Sequence, residues 1–164
     1  LFGEAGDLDV IEGGAGADTM DGGDGIWDML DYRNNTTAIT INFSNATVSG
    51  GDANGDTFTN FEGVYGSGFN DTITGGNGDD WLVGQGGADT IVGGGGNDWI
   101  EGGAGADILD GGTGTQDTVD YFSSTTSVFI DLSRQIATGG DATGDTLSGF
   151  ESVGGSFTAD DILI

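Results

Sequence analysis

The feature that most constrains the fold is a nine-residue period that runs from Gly66 to Tyr121. Six consecutive blocks read GSGFNDTIT, GGNGDDWLV, GQGGADTIV, GGGGNDWIE, GGAGADILD and GGTGTQDTVDY, the last with an inserted residue. Glycine dominates the first four positions, aspartate holds the sixth, and a large apolar residue holds the eighth. The aspartates are Asp71, Asp80, Asp89, Asp98, Asp107 and Asp117, and the apolar residues are Ile73, Leu82, Ile91, Ile100, Leu109 and Val119. Glycine clusters at this spacing break helices, so the period predicts short strands separated by tight turns.

An earlier block repeats this pattern near the start of the chain. It reads GEAGDLDVIE, GGAGADTMD and GGDGIWDMLDY, and its first member is degenerate. The aspartates are Asp9, Asp18 and Asp28, and they are followed by the apolar residues Ile11, Met20 and Leu30. The same turn-and-strand unit is therefore predicted in both blocks.

Charge is the second constraint, because 28 acidic residues face only two arginines and the formal net charge is −26. Like charge at this density, together with 36 glycines, opposes compaction unless something neutralises the carboxylates. The chain contains no cysteine, histidine or lysine, which excludes zinc sites, thiol nucleophiles and Schiff-base chemistry. A polyanion repels nucleic acid, and no apolar run reaches the ~20 residues of a membrane span, so neither nucleic acid nor direct membrane insertion is expected.

The nonapeptide resembles the RTX (repeat-in-toxin), or haemolysin-type, calcium-binding repeat G-G-x-G-x-D-x-U-x. The resemblance implies an all-β fold, a right-handed parallel β-roll (β-solenoid) with several calcium ions in the stacked glycine–aspartate turns. In such a roll two nonapeptides make one rung, and repeat n lies under repeat n+2. Strands about 4.8 Å apart bring the aspartates of successive turns together, where a hard cation is needed between them.

The expected bridging pairs follow from that stacking rule. They are Asp71 with Asp89, Asp80 with Asp98, Asp89 with Asp107, Asp98 with Asp117, and Asp9 with Asp28. Asp18 has no nonapeptide partner two repeats later, so its site depends on an oxygen from a looser rung. Magnesium is a poor competitor because it holds its waters, and transition metals are not expected without nitrogen or sulfur ligands.

A longer period of 89 residues encloses the short one. Residues 13–75 overlie residues 102–164 without a gap, with about half of the aligned positions identical. This duplication predicts one continuous solenoid with a first unit at 1–65, a second unit at 66–154 and the start of a further repeat at 155–164. Asp160 is the predicted metal ligand of that further repeat. We expect the natural protein to be longer, because solenoids normally need polar caps.

Looser segments connect the motif blocks. In them Ile39, Ile41 and Phe43 alternate with polar residues, as Val128, Ile130 and Leu132 do in the second unit, which is typical of half-buried strands. A lengthened turn follows, with Asp56 or Asp145 just before the next short strand. Both are candidate calcium ligands, and a role in capping or turn bonding is about equally compatible with their position, as it is for Asp52 and Asp141.

Two tryptophans, Trp81 and Trp99, occupy the seventh position of repeats that lie two apart, so they should stack on one face in adjacent rungs. A cross-strand ladder is the favoured interpretation, and a sugar- or protein-binding surface is the alternative. Trp27 falls in an insertion and has no predicted place. Arg33 and Arg134 fall at non-equivalent positions of the two units and are expected at the surface.

The function expected from these features is that of an extracellular, calcium-binding structural or adhesive repeat region of a type I-secreted bacterial protein. Such a region would fold on calcium binding and could assemble into a surface layer or filament with neighbouring copies or further repeats. The alternative is a calcium-dependent folding and secretion module of a larger exported enzyme or toxin. Catalysis is not expected in these residues, because the paired carboxylates recur in every rung and no unique constellation stands out.

Overall fold

The computed structural model describes residues 1–4, 6, 8–157 and 160–164, which form an all-β structure of very short strands. The strands are β1 (Val10–Ile11), β2 (Thr19–Asp21), β3 (Met29–Asp31), β4 (Thr40–Asn42), β5 (Thr47–Ser49), β6 (Thr57–Thr59), β7 (Gly63–Tyr65), β8 (Thr72–Thr74), β9 (Trp81–Val83), β10 (Thr90–Val92), β11 (Trp99–Glu101), β12 (Ile108–Asp110), β13 (Thr118–Val119), β14 (Phe129–Asp131), β15 (Ile136–Thr138), β16 (Thr146–Ser148), β17 (Ser152–Val153) and β18 (Ile162–Leu163). Short 3-10 turns occupy Phe43–Asn45, Gly51–Ala53 and Gly140–Ala142. No helix in the described part of the chain is long and apolar enough to cross a membrane.

Each nonapeptide contributes one strand at its last three positions, as the nine-residue period predicts. The eighth residue points into the core, and Ile91, Ile100 and Leu109 are fully buried. Parallel pairing places Ile91 beside both Ile73 and Leu109, so repeats that lie two apart are neighbours. This confirms the predicted stacking of repeat n under repeat n+2. The core is therefore a column of single apolar side chains from successive turns.

The strands of the roll lie on two faces that the chain visits alternately. The first face is one sheet in the order β1-β3-β7-β9-β11-β13-β17, and its ladders are all parallel. The second face carries a sheet in the order β16-β12-β10-β8-β4-β5, the pair β2-β6, and the sheet β15-β14-β18. The first face runs through both sequence units, from Val10 to Val153, without interruption.

The seventh and ninth positions do not always face outward. Met29, at a seventh position, is fully buried, and Val83, at a ninth position, is also buried. Both lie on the first face, in β3 and β9. Strand alternation would turn both positions outward when the eighth residue faces the core, and the buried ninth-position residues Asp31 and Asp120 depart from it as well.

The looser segments depart from a plain continuation of the roll. In the first unit β4 pairs in parallel with β8, and the chain then turns back into the antiparallel strand β5. After this hairpin, β6 returns to pair with β2 and β7 pairs with β3, so the regular path resumes. The second unit repeats the arrangement with β14, β15, β16 and β17. Each looser segment thus inserts one hairpin into the second face only.

Candidate metal sites

The aspartates at the sixth nonapeptide position form two lines, one along each edge of the roll. In each line the backbone N–H of one aspartate donates a hydrogen bond to the carboxylate of the aspartate one rung further along the chain. The bonds to Oδ1 are Asp71 to Asp89 (2.7 Å), Asp80 to Asp98 (2.9 Å), Asp89 to Asp107 (2.8 Å), Asp98 to Asp117 (2.9 Å) and Asp9 to Asp28 (2.8 Å). The five predicted pairs are therefore neighbours in the structure.

Looser rungs continue these lines. The N–H of Asp18 donates to Oδ1 of Asp56 at 2.9 Å, so the looser rung supplies the oxygen that Asp18 needs from outside the nonapeptides. The N–H of Asp107 makes the equivalent bond to Asp145 at 2.8 Å. Along the axis of the roll, an inserted hairpin occupies the position next to Asp56 and another the position next to Asp145. These two residues are therefore the last aspartates of their lines on that side of each hairpin.

The second carboxylate oxygen is the chemically important one. Among the described residues, none donates a hydrogen bond to the buried Oδ2 atoms of Asp9, Asp28, Asp89, Asp98, Asp107 and Asp117. A buried, unpaired carboxylate oxygen costs more free energy than almost any other polar group. Its recurrence at one repeat position indicates a ligand that is bound in the same way in many turns.

Glycine at the first position of each repeat leaves room beside that oxygen. A Cβ at Gly93 would collide with Oδ2 of Asp98 and with the carbonyl oxygen of Gly111, which belongs to the next turn on that edge. At Gly84 it would collide with Oδ2 of Asp89 and lie 2.6 Å from the carbonyl oxygen of Gly102. A carboxylate oxygen and a carbonyl oxygen thus face the same small cradle.

The electrostatics of the metal-free turns oppose ionisation. Burial, and to a smaller extent the neighbouring aspartates along the line, raise the pKa of Asp80 and of Asp89 to about 7 and that of Asp98 to about 6. Burial also raises the pKa values of Asp71 and Asp107. The turns therefore present carboxylates that a positive charge would stabilise in the ionised form.

The donor set fits calcium. It consists of carboxylate and backbone carbonyl oxygens, which a hard cation with flexible, high coordination prefers. In the described part of the chain, no three acidic side chains converge on one point, so each turn pair offers two carboxylates and depends on carbonyls for the rest.

A family model described as the RTX calcium-binding nonapeptide repeat (4 copies) matches residues 1–26, 64–91 and 83–115. The matched segments are RTX calcium-binding repeats. The all-β roll of stacked parallel strands is the fold expected for RTX repeats, and these repeats bind calcium and typically occur in secreted proteins. No curated protein matches the chain.

Asp56 and Asp145 lie outside the matched RTX repeats, and each accepts a hydrogen bond from a tyrosine, whereas Oδ2 of Asp71 and of Asp80 accepts one from a backbone N–H, of Ser67 and Gly76 respectively. The hydroxyl group of Tyr32 donates a hydrogen bond to Oδ2 of Asp56 at 3.1 Å, and that of Tyr121 donates to Oδ2 of Asp145 at 2.9 Å. The oxygen that is unpaired in six nonapeptide turns is therefore satisfied here by a buried phenol. This contact favours the hydrogen-bonding alternative over calcium ligation at these two positions.

The prediction for Asp160 is wrong by one residue. Asp161 accepts a hydrogen bond from the N–H of Val128 at 2.9 Å, as Asp71 does from Ile39 at 2.8 Å in the first unit. Asp160 is exposed. The ungapped alignment failed because Ser67 and Asp71 are four residues apart, whereas the equivalent Ser156 and Asp161 are five apart.

Two glutamates that the sequence analysis did not assign also join the lines. The N–H of Asp28 donates to Oε2 of Glu62 at 3.1 Å, and the N–H of Asp117 donates to Oε2 of Glu151 at 3.0 Å. The sequence does contain a sign of these glutamates, because the pair Phe61-Glu62 of the first unit recurs as Phe150-Glu151 in the second. Its role was hidden because the inserted hairpin separates each glutamate from its aspartate by 34 residues rather than 18.

The tryptophans lie side by side on the first face, as predicted. Trp81 and Trp99 are register partners, with ring centroids 6.2 Å apart. Trp27, which had no predicted place, packs edge-on against Trp81 at 6.5 Å. These rings line a groove of about 510 Å³ together with Glu101, Asp120 and Phe122.

The two arginines are surface residues, as expected. Arg33 forms a two-point ion pair with Asp31 and lies 4.5 Å from the ring centre of Tyr65. Arg134 pairs with Asp131 at 3.1 Å. Both arginines bond acidic residues close by in sequence, so neither reaches a metal-candidate turn.

Proposed function

We propose that this chain is a calcium-binding structural and adhesive repeat region of a type I-secreted bacterial protein, and that it folds when calcium binds outside the cell. The RTX match supports a calcium-binding repeat region of a secreted protein. The ligands we assign are the ion-facing carboxylates of the nonapeptides, which are Asp9, Asp18, Asp28, Asp71, Asp80, Asp89, Asp98, Asp107 and Asp117.

The observation that carries this proposal is the line of buried carboxylates whose Oδ2 atoms lack a donor among the described residues. Calcium supplies positive charge between two successive carboxylates of a line. The chain's own residues prepare that position. At Asp89 and Asp98 a backbone N–H holds Oδ1, which leaves Oδ2 beside the first glycine of the repeat, and that glycine keeps the cradle open. Without the cation, like charges about one strand spacing apart repel each other.

Occupancy of these sites links stability to the calcium concentration. For a dissociation constant of ~10⁻⁴ M, which is typical of extracellular modules, millimolar calcium stabilises the fold by about 1.4 kcal/mol per site. Several such sites supply much of the ~5–15 kcal/mol that a folded domain has in total. At cytosolic calcium concentrations the same sites contribute almost nothing, so the chain stays unfolded or molten before export.

Circular dichroism with and without chelator tests the proposal. Calcium at 1 mM is expected to produce a β-strand spectrum, and excess EGTA is expected to abolish it. Magnesium at the same concentration serves as the matched ion and should restore little of the signal, because it requires a small octahedral site. A strand spectrum that persists unchanged in EGTA would refute calcium-dependent folding.

The structural and adhesive role is favoured over a folding module for an exported enzyme or toxin by the 89-residue duplication and by the sheet that runs through both units. We propose that the repeat region itself is non-catalytic and that neighbouring copies or further repeats are its partners. Further 89-residue units in the complete protein would support this role, and an adjoining catalytic domain would support the alternative. Light scattering against calcium concentration tests self-assembly directly.

A further inference from the structure

The line of carboxylates on the first-face edge does not stop at the last nonapeptide of either block. Asp28 and Asp117 are each the final aspartate of their block, and each would need a partner from the next rung. The next rung comes after the inserted hairpin and carries a glutamate in place of the aspartate. Glu62 and Glu151 accept the N–H of Asp28 and Asp117 through Oε2, at 3.1 and 3.0 Å.

Backbone bonds fix each glutamate beside its aspartate. The carbonyl oxygen of Asp28 accepts the N–H groups of Glu62 and Gly63, both at 3.0 Å. The carbonyl oxygen of Asp117 accepts those of Glu151 and Ser152, at 3.1 and 3.0 Å. The same geometry in both units places a second carboxylate over each of these aspartates.

The aspartates of these pairs have an oxygen that requires a ligand. Asp28 and Asp117 are fully buried, and none of the described residues donates a hydrogen bond to their Oδ2 atoms. This observation is independent of the glutamates, because it concerns the other oxygen of the carboxylate. It is the same signature that marks the nonapeptide turns.

A backbone carbonyl of the next rung lies against the first glycine of each of these turns, as it does in the repeats, whereas the carboxylate oxygens of Asp28 and Asp117 lie beside the fourth-position glycines, Gly25 and Gly114. A Cβ at Gly22 would collide with the carbonyl oxygen of Asn60, and one at Gly111 would collide with that of Gly149. Asn60 and Gly149 have φ of 56° and 71°, so both adopt the left-handed conformation. In the ordinary turns the corresponding carbonyl oxygen belongs to the first glycine of the next repeat on that edge, as that of Gly111 does for Gly93.

We propose that Glu62 and Glu151 each complete a further calcium site, with Asp28 and Asp117 respectively, formed by a nonapeptide turn and a non-repeat rung. Glu62, Glu151, Asp28 and Asp117 all lie outside the segments that match the RTX model. The ligand class is a hard divalent cation, held by one aspartate, one glutamate and a backbone carbonyl oxygen. These sites join each nonapeptide block to the rung beyond the hairpin. The inference rests on the proposed calcium binding of the repeats.

Isothermal titration of the calcium-free chain with calcium tests the inference. Glu151→Gln and Glu62→Gln keep an acceptor oxygen for the aspartate N–H and remove the charge, so each is expected to lower the number of bound ions by one. Glu12→Gln is the matched control, because Glu12 is exposed and its loss of charge should leave the number unchanged. Asp98→Asn, in an ordinary turn, reports on the repeats themselves.

The outcomes separate the two proposals. An unchanged ion count in both glutamate variants, with a lower count in Asp98→Asn, overturns the glutamate sites and leaves the repeat function standing. An unchanged count in all variants overturns both. For a glutamate variant that does not fold, anomalous scattering from crystals of the unaltered chain grown in calcium decides the question. A calcium peak between the carboxylates of Asp117 and Glu151 supports the site, and none there overturns it.

Discussion

The hydroxyl group of Tyr121 donates a hydrogen bond to Oδ2 of Asp145 at 2.9 Å, and both residues are buried. Tyr32 and Asp56 form the equivalent pair at 3.1 Å in the first unit. In six nonapeptide turns the corresponding oxygen is buried and receives no hydrogen bond from the described residues. A phenol therefore stands where a cation would otherwise be needed, at the two points where an inserted hairpin interrupts the line of aspartates.

Replacing Tyr121 with phenylalanine is expected to lower the free energy of unfolding by about 1–3 kcal/mol, because Asp145 would keep a buried oxygen without a donor. Urea denaturation in saturating calcium measures this change. Tyr65→Phe is the matched control, since the Tyr65 ring is only partly buried and stacks against Arg33 without needing its hydroxyl. Equal stability of the two variants would contradict the role assigned to the hydroxyl.

Replacing Asp89 with asparagine is expected to have opposite effects with and without calcium. In calcium the variant should melt at a lower temperature, because Asp89 lies between Asp71 and Asp107 and serves two neighbouring sites. In EGTA it should retain no less strand signal in circular dichroism than the unaltered chain, because a buried charge has been removed. Asp24→Asn, at an exposed position, should change neither the melting temperature in calcium nor the strand signal in EGTA. A weaker strand signal in EGTA, together with a lower melting temperature in calcium, would argue against this account.

The pH dependence of the metal-free chain follows from the raised pKa values of Asp80 and Asp89, both about 7, and of Asp98, about 6. A carboxyl group whose folded pKa lies above its unfolded value of ~4 stabilises the fold at low pH. That contribution is fully present below pH ~4 and is lost as the pH rises towards 7. In EGTA, strand signal in circular dichroism should therefore be greater at pH 4.5 than at pH 8. With calcium the trend reverses, because protons compete for the same oxygens.

Replacing Gly93 with alanine is expected to close one cradle. The added methyl group would collide with Oδ2 of Asp98 and the carbonyl oxygen of Gly111, so calcium affinity and melting temperature should both fall. Gly78→Ala provides the control, because a Cβ there has nothing within 4 Å. Calorimetric titration of the two variants decides the matter. An unchanged number of bound calcium ions in Gly93→Ala would show that calcium does not occupy the space beside Gly93.

The tryptophan ladder is tested by a double-mutant cycle. With Trp81 and Trp99 as neighbours on adjacent strands, replacing each by alanine, singly and together, should reveal a coupling of about 0.5–1.5 kcal/mol. Near-zero coupling would favour the other interpretation, in which Trp99 serves a ligand. A glycan array with the unaltered chain and with Trp99→Ala examines that interpretation directly.

Much of this arrangement could be predicted from the nine-residue period together with the RTX resemblance. A fixed spacing of nine residues determines which side chains face the core and which turns stack, and Asp80 and Asp98 therefore meet as predicted. Prediction failed wherever the period was broken. Glu62 and Glu151 join their partners across a hairpin whose place in the sheet no local pattern reveals. A single added residue shifts the last aspartate position of the line from Asp160 to Asp161. The ungapped alignment did not reveal the shift, because aspartate occupies both positions. The tyrosines were missed because a buried hydroxyl shows its partner only in three dimensions.

The bonds from aspartate N–H groups to carboxylates along each line run one way, since the N–H of Asp80 donates to Asp98 and that of Asp98 donates to Asp117. The roll is consequently vectorial, with two chemically unlike ends. A rung removed from the N-terminal side uncovers a carboxylate oxygen, which water solvates readily. Removing a rung from the C-terminal side takes away the carboxylate that accepts the N–H of the preceding aspartate. The preceding turn then also loses one of the two carboxylates of its proposed calcium site. Adding or losing a rung should therefore have different effects at the two ends of the roll, because each turn depends on the one that follows it.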